Sequence, residues 1–223
     1  QMSWMIWFIH NYLNNFNYNI KFLVVYLTAY KPGKDNADIK VFGKFISDGD
    51  NENYIDKHWS ELDIIGSDER SGADRNDLRE YTYGIKAAPV STFVVEGQTT
   101  DGSATVTTSS DKSSTLVAGT VVKIENGDAV TGYEVNRVKS VSGVTVTMEN
   151  NVSFTNVGAN IRTVDLPQTA FKDPQNNSIM TYYNSAGSRQ TTFNLFAVKI
   201  ILLSDDSTTV PEVKDMRAIA LSV

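Results

Sequence analysis

The stretch IKFLVVYLTAY, Ile20 to Tyr30, decides the fold. Its β-branched and aromatic residues place apolar side chains on both alternating faces, the pattern of a strand covered on both sides. Lys31, Pro32 and Gly33 end it, and the polar Lys34, Asp35 and Asn36 complete a turn. IKVFGKFI, Ile39 to Ile46, reads as the returning strand, so the two segments are predicted to form a β-hairpin. A second apolar strand stands near the far end of the chain as FAVKIILL, Phe196 to Leu203. A polar turn over Ser204 to Thr209 and a final strand over Met216 to Val223 follow it.

Working outward, SDGDNEN (Ser47 to Asn53) is a polar loop, and HWSELDII (His58 to Ile65) supplies Trp59, Leu62, Ile64 and Ile65 to a core. After a charged loop from Gly66 to Asp77, LREYTYGI (Leu78 to Ile85) alternates with Tyr81, Tyr83 and Ile85 on one face. From Val90 to Val164 the style changes to short Val/Thr/Ser strands punctuated by glycine. Strands are predicted over Thr92–Glu96, Ala104–Thr108, Thr120–Glu125, Tyr133–Val141, Val144–Met148 and Ile161–Val164, with Ser142 and Gly143 joining two of them as a tight hairpin. Beyond Asp165 the aromatic style returns with Phe171, Tyr182, Tyr183, Phe193 and Phe196.

No stretch carries the three-and-four apolar spacing of a long amphipathic helix; at the N-terminus, where Met5, Phe8, Ile9, Tyr12 and Leu13 suit one helical face, a short helix and an aromatic-rich strand both fit. The expected architecture is therefore all-β. An antiparallel, jelly-roll-like β-sandwich is built from residues 18–89 and 165–223, a small β module of residues 90–164 is inserted near its middle, and an apolar segment, residues 1–17, precedes both.

Composition narrows the function. The formal net charge of -6 argues against a phosphate-binding surface, so no nucleic acid is expected as a partner. Cysteine is absent, which removes disulfides, thiolate metal sites and cysteine nucleophiles and fits assembly in a reducing cytoplasm. With only two histidines, His10 and His58, a multi-histidine metal centre is excluded. The apolar run Trp4 to Ile9 is far short of the roughly 20 residues that span a bilayer, so no membrane partner is expected. The opening on Gln1 fits the cut edge of a longer protein or mature processing.

AYKPGKDNADIKVFGKF (Ala29 to Phe45) resembles a strand-turn-strand block of virion proteins from large contractile-tailed phages, of the kind that infect marine bacteria. TAFKDPQNNSIMTYYNSAG (Thr169 to Gly187) and FAVKIILLSDDSTTVPEVKDMRAIAL (Phe196 to Leu221) resemble the same family in the same order, on the far side of the inserted module. Residues 1–17 depart from the polar, basic strand that usually leads into this block. The resemblance implies a building piece of the tail or baseplate, located in the virion after assembly in the host cytoplasm. It implies other virion structural proteins as partners, a homo-oligomer among them, and no activity.

The candidate chemistry is thin. Asp48, Asp50 and Glu52 alternate as in a calcium loop, but Asn53 stands where that template needs glycine and Trp59 where it needs glutamate. Adjacent Asp205 and Asp206 point to opposite sides of an extended chain, so a turn is expected there. His58, with Trp59, Asp56 and Glu61 near it in sequence, is the one general-base arrangement, and neither a serine elbow nor a second histidine supports it. Lys214, Asp215 and Arg217 alternate with apolar residues and read as a salt-bridged strand end. Tyr182 and Tyr183, taken as exposed, suit stacking on sugar rings, which makes a receptor- or glycan-binding module of a tail fibre the alternative function and a host glycan the alternative partner. The Trp4–Phe8 cluster must be buried in its own domain or against a partner subunit. No catalytic residue, cofactor-binding residue or metal ligand is predicted.

Overall fold

The computed structural model describes residues 2–8, 20–33, 37–66, 71–72, 74–89, 91–127, 132–165, 168–173, 179–186 and 188–222, and of residues 2–8 it describes the backbone alone. The expected turn over Lys34–Asn36 and residues 9–17 of the apolar segment lie outside these. The chain is all-β with antiparallel sheets and no α-helix among the described residues, hence no helix long and apolar enough to cross a membrane. Contacts divide it into two units. The first comprises Gln1–Lys86, Ser178–Thr181 and Gln190–Val223, and the second Ala87–Asn177 and Tyr182–Arg189.

The first unit carries one seven-stranded sheet. Its strands in chain order are β1 (Met2–Phe8), β2 (Phe22–Tyr30), β3 (Asp38–Ile46), β4 (Ser60–Ile64), β5 (Arg79–Ile85), β15 (Leu195–Ser204) and β16 (Glu212–Leu221), and across the sheet they run β1-β15-β3-β4-β5-β2-β16. This corrects the predicted hairpin: β4 and β5 separate β2 from β3. The connection does not turn tightly at Pro32 and Gly33; instead Pro32 makes an isolated parallel bridge to Gly72, and Lys31 O accepts the Gly72 N–H. Each strand spends its hydrogen bonds elsewhere, β2 on β5 and β16, β3 on β4 and β15. The early and closing parts of the chain thus meet three times in one sheet, in registers Met5↔Ile201, Phe45↔Phe196 and Tyr26↔Arg217.

Side-chain alternation along these strands locates the core. Leu23, Val25, Leu27 and Ala29 of β2 are fully buried, as are Val41 of β3, Tyr81 of β5 and Ile200 of β15. The sheet curls around this face: Tyr83 Oη donates to Ile39 O at 3.3 Å, across the row occupied by Ile64 of β4. Phe45, Phe193 and Phe196 close it with edge-to-face ring contacts, centroids 4.9 and 6.0 Å apart.

The second unit contains a closed six-stranded antiparallel barrel. Its strands are β6 (Ser91–Thr99), β7 (Thr105–Thr108), β8 (Val121–Glu125), β9 (Tyr133–Ser142), β10 (Thr145–Met148) and β11 (Asn156–Val164), closing in the order β10-β7-β6-β11-β8-β9. The sequences TVTT and TVTM show why it closes. Alternation turns Val106 and Val146 inward, where they are paired and wholly buried, with Thr108 and Met148 on the same buried side and Thr105, Thr107, Thr145 and Thr147 on the other, while barrel closure leaves no free sheet edge. The predicted Ser142–Gly143 hairpin is present between β9 and β10, with Gly143 at φ 58°, a left-handed conformation that favours glycine.

This unit reaches beyond the expected residues 90–164. Phe171 and Tyr183 pack with Val121, Tyr133 and Val164 in a second apolar cluster, which draws the chain after Val164 onto the barrel. A small sheet of β12 (Phe171–Lys172), β13 (Met180–Tyr183) and β14 (Arg189–Gln190) completes the structure.

Candidate interaction site

The outward face of the first unit's sheet gathers the features that suit contact with another molecule. β16 is an edge strand of ten residues, bonded to β2 on one side. Its first half is charged, with Lys214, Asp215 and Arg217 all exposed, and its second half is apolar: Ile219 is 43% and Leu221 39% exposed. Across the register, Ile219 faces Val24 and Leu221 faces Phe22. The apolar end therefore continues onto the neighbouring strand. The expected salt-bridged strand end is present in altered form, since Arg217 pairs with Glu80 and lies over the Tyr26 ring at 5.4 Å.

Farther across the same sheet lies a cluster of cations and rings. Because Lys40, Phe42 and Lys44 alternate with inward Ile39, Val41 and Phe45, all three face outward on β3. Lys44 Nζ stands 5.0 Å from the Trp59 ring centre and 5.7 Å from that of Tyr54, and it donates to Ile55 O at 2.9 Å. Lys199 Nζ, on β15, sits 4.5 Å from the Trp59 centre and 4.9 Å from that of Phe42. Such contacts are worth roughly 0.5–2 kcal/mol each as they lose water. Burial holds both ammonium groups below the ordinary lysine range; Asp56 partly offsets this for Lys44, and Lys44 itself adds to it for Lys199. Burial also pushes the Tyr54 hydroxyl up to about 12.

The acids singled out in the sequence are occupied. Asp50 and Glu52 both pair with Lys57, whose side chain is 3% exposed against 0% for that of Asp50. This Lys57-centred triad anchors the loop, with Asn53 capping the short 3-10 turn Tyr54–Asp56 by accepting the Ile55 N–H. Asp48 accepts from the Asn194 side-chain amide. Glu61 is held by Lys40 at 3.1 Å and Lys86 at 3.2 Å; burial alone would raise its carboxyl, but the two ammonium groups outweigh it and hold it below the usual range. His58 is exposed beside this arrangement. Asp206 accepts from Thr208 N and Oγ1, both at 2.8 Å, which makes the predicted turn.

Tyr182 and Tyr183 are not exposed, which corrects the sugar-stacking expectation. They are 2% and 5% exposed, and Tyr183 Oη donates to Val135 O at 3.0 Å. The order of polar and aromatic residues around them cannot distinguish a solvent-facing strand from one covered by a second layer. Trp4 to Phe8 lie on β1, opposite Leu202 to Val198 of β15. No family model, curated protein or solved structure matches the chain.

The sequence did not single out Lys44 and Lys199. The available signal was a lysine at an alternate position within each of two otherwise apolar strands, IKVFGKFI and FAVKIILL.

Proposed function

We propose that this chain is a non-catalytic building module of a phage tail or baseplate, acting in the virion through protein–protein contact. The observation that carries the reading is the apolar half of the β16 edge. A long edge strand with free backbone donors and acceptors recruits another strand unless charge or proline blunts it. Lys214, Asp215 and Arg217 blunt the first half of β16, whereas Ala218 to Leu221 carry no charge and expose the side chains of Ile219 and Leu221. A strand from a neighbouring virion protein fits there, with backbone hydrogen bonds supplying affinity and Ile219 and Leu221 supplying specificity.

The resemblance of Ala29–Phe45 and Phe196–Leu221 to contractile-tail proteins supports the assignment, and those blocks supply neighbouring strands of one sheet. The jelly-roll sandwich belongs to the same proposal. The inward faces of β2, β3, β5 and β15 provide the continuous apolar layer that such a body packs.

Cross-linking mass spectrometry of purified particles tests it. Lys214 is expected to cross-link to a neighbouring subunit at high yield. Absence of the chain from particles, or Lys214 cross-links confined to its own chain, would overturn the reading.

A further inference from the structure

We propose that the second unit binds a carboxylate-bearing saccharide, of the uronic acid type, in a groove organised around Arg137. The groove has a volume of about 550 Å³ and is lined by Arg137, Gln168, Asn184, Ser185, Val121 and Val164 among others. Arg137 projects from β9 on the same face as Tyr133 and Val135, outside the barrel. Its guanidinium lies over the Val117–Thr120 turn: a Cβ added to Gly119 would stand 3.8 Å from Nη1.

Two side chains in this groove lack partners among the described residues. Arg137 Nε is buried with no hydrogen-bond partner, and no ion pair engages its guanidinium among the described residues. A guanidinium presents its N–H groups in a planar fan that matches a carboxylate, and a cation with no counter-charge beside it favours an anion in the groove. The contrast lies within the same unit: Arg189 is neutralised by Asp173 and Arg162 by Glu125. Gln168 is partly buried and likewise makes no hydrogen bond among the described residues. No acid is among the described residues that line the groove.

The remaining lining favours a hydroxylated acid over an acidic peptide. An aspartate or glutamate side chain uses the guanidinium alone, whereas a sugar acid also takes a hydrogen bond from the Gln168 amide and lies against the polar lining of Asn184 and Ser185. The Asn184 side chain is held in place by the Ser188 N–H donating to its Oδ1 at 2.7 Å. The volume falls within the roughly 300–1,000 Å³ range of small-ligand sites. The inference does not rest on the contact role assigned to β16.

Calorimetric titration of the whole chain with digalacturonate, its dimethyl ester and a tetraglutamate peptide tests the site. Saturable binding of digalacturonate is expected, weakened at least about tenfold by esterification and by Arg137→Gln, as for loss of a charge-assisted pair. Arg137→Lys should recover part of the loss, and Gln168→Ala should weaken binding severalfold. Thermal melts of each variant show that it is folded. Equal binding of acid and ester, or binding unchanged in folded R137Q, would overturn the site. Silence toward digalacturonate would do so as well, and tetraglutamate binding alone would replace the saccharide with an acidic protein segment.

Discussion

Replacing Lys57 with methionine isolates what the Asp48–Trp59 loop is for. Methionine keeps the length and apolar stem of lysine but removes the ammonium group on which Asp50 and Glu52 converge. The Asp50 side chain is 0% exposed, so its carboxylate remains in the interior without its cation, whereas that of Glu52, 19% exposed, can turn toward water. Breaking a buried pair by deleting one member costs about 3–5 kcal/mol, because the survivor carries its full desolvation penalty. The expected loss sits at the lower end of that range, because Asp50 Oδ1 still accepts the Glu52 N–H at 3.2 Å. Urea unfolding followed by tryptophan fluorescence, with Trp59 as reporter, measures it. Lys57→Met combined with Asp50→Leu should recover most of the loss, since removing both charges leaves none stranded. A Lys57→Met penalty under about 1 kcal/mol would refute the reasoning, because surface pairs are worth no more than that.

Alkaline pH should unfold the protein through its tyrosines. Burial pushes Tyr183 up to about 12 and raises Tyr83 and Tyr133 as well, so these groups stabilise fully below the ordinary tyrosine range near 10, and the contribution is lost as pH climbs from there toward 12. Unfolding midpoints at pH 8 and 11, together with a 295 nm titration in which these rings ionise late, check this. Gly97→Ala should cost roughly 1–3 kcal/mol of stability in a urea melt, because the new methyl would come 2.8 Å from Ile161 Cδ1 and 3.0 Å from Val106 Cγ1 inside the closed barrel. Ile219→Lys with Leu221→Lys should leave urea stability within about 0.5 kcal/mol, as at exposed sites generally. The same double variant should abolish incorporation into particles in a reconstitution assay.

Strand identity was legible in the sequence because period-two alternation reports burial directly. TVTT, TVTM and LREYTYGI each form strands within the segments predicted for them, and FAVKIILL forms the apolar strand predicted there. Pairing was not legible. The link from Tyr30 to Asp38 has hairpin composition, but β2 and β3 are both interior to the sheet, and partners far along the chain satisfy them. Local turn chemistry carries no information about which distant strand bids for the same hydrogen bonds. Tyr182 and Tyr183 failed for a related reason. MTYY is buried at every position, so its alternation conceals which layer covers it. Arg137 gave no signal, because one arginine in an alternating strand looks like any solvated charge until its neighbours fail to neutralise it.

Since the chain contains no cysteine, its long-range pairing can be tested with introduced thiols against a silent background. Directly opposed residues on neighbouring strands have Cβ atoms about 4.5–5.5 Å apart, close enough for small backbone shifts to admit a disulfide. Tyr26→Cys with Arg217→Cys is predicted to oxidise to an intramolecular bridge, joining β2 to the closing strand, while Tyr26→Cys with Leu221→Cys, four residues out of register, stays reduced under the same conditions. Bridging of the second pair but not the first would contradict the sheet on which both the fold and the β16 contact surface depend.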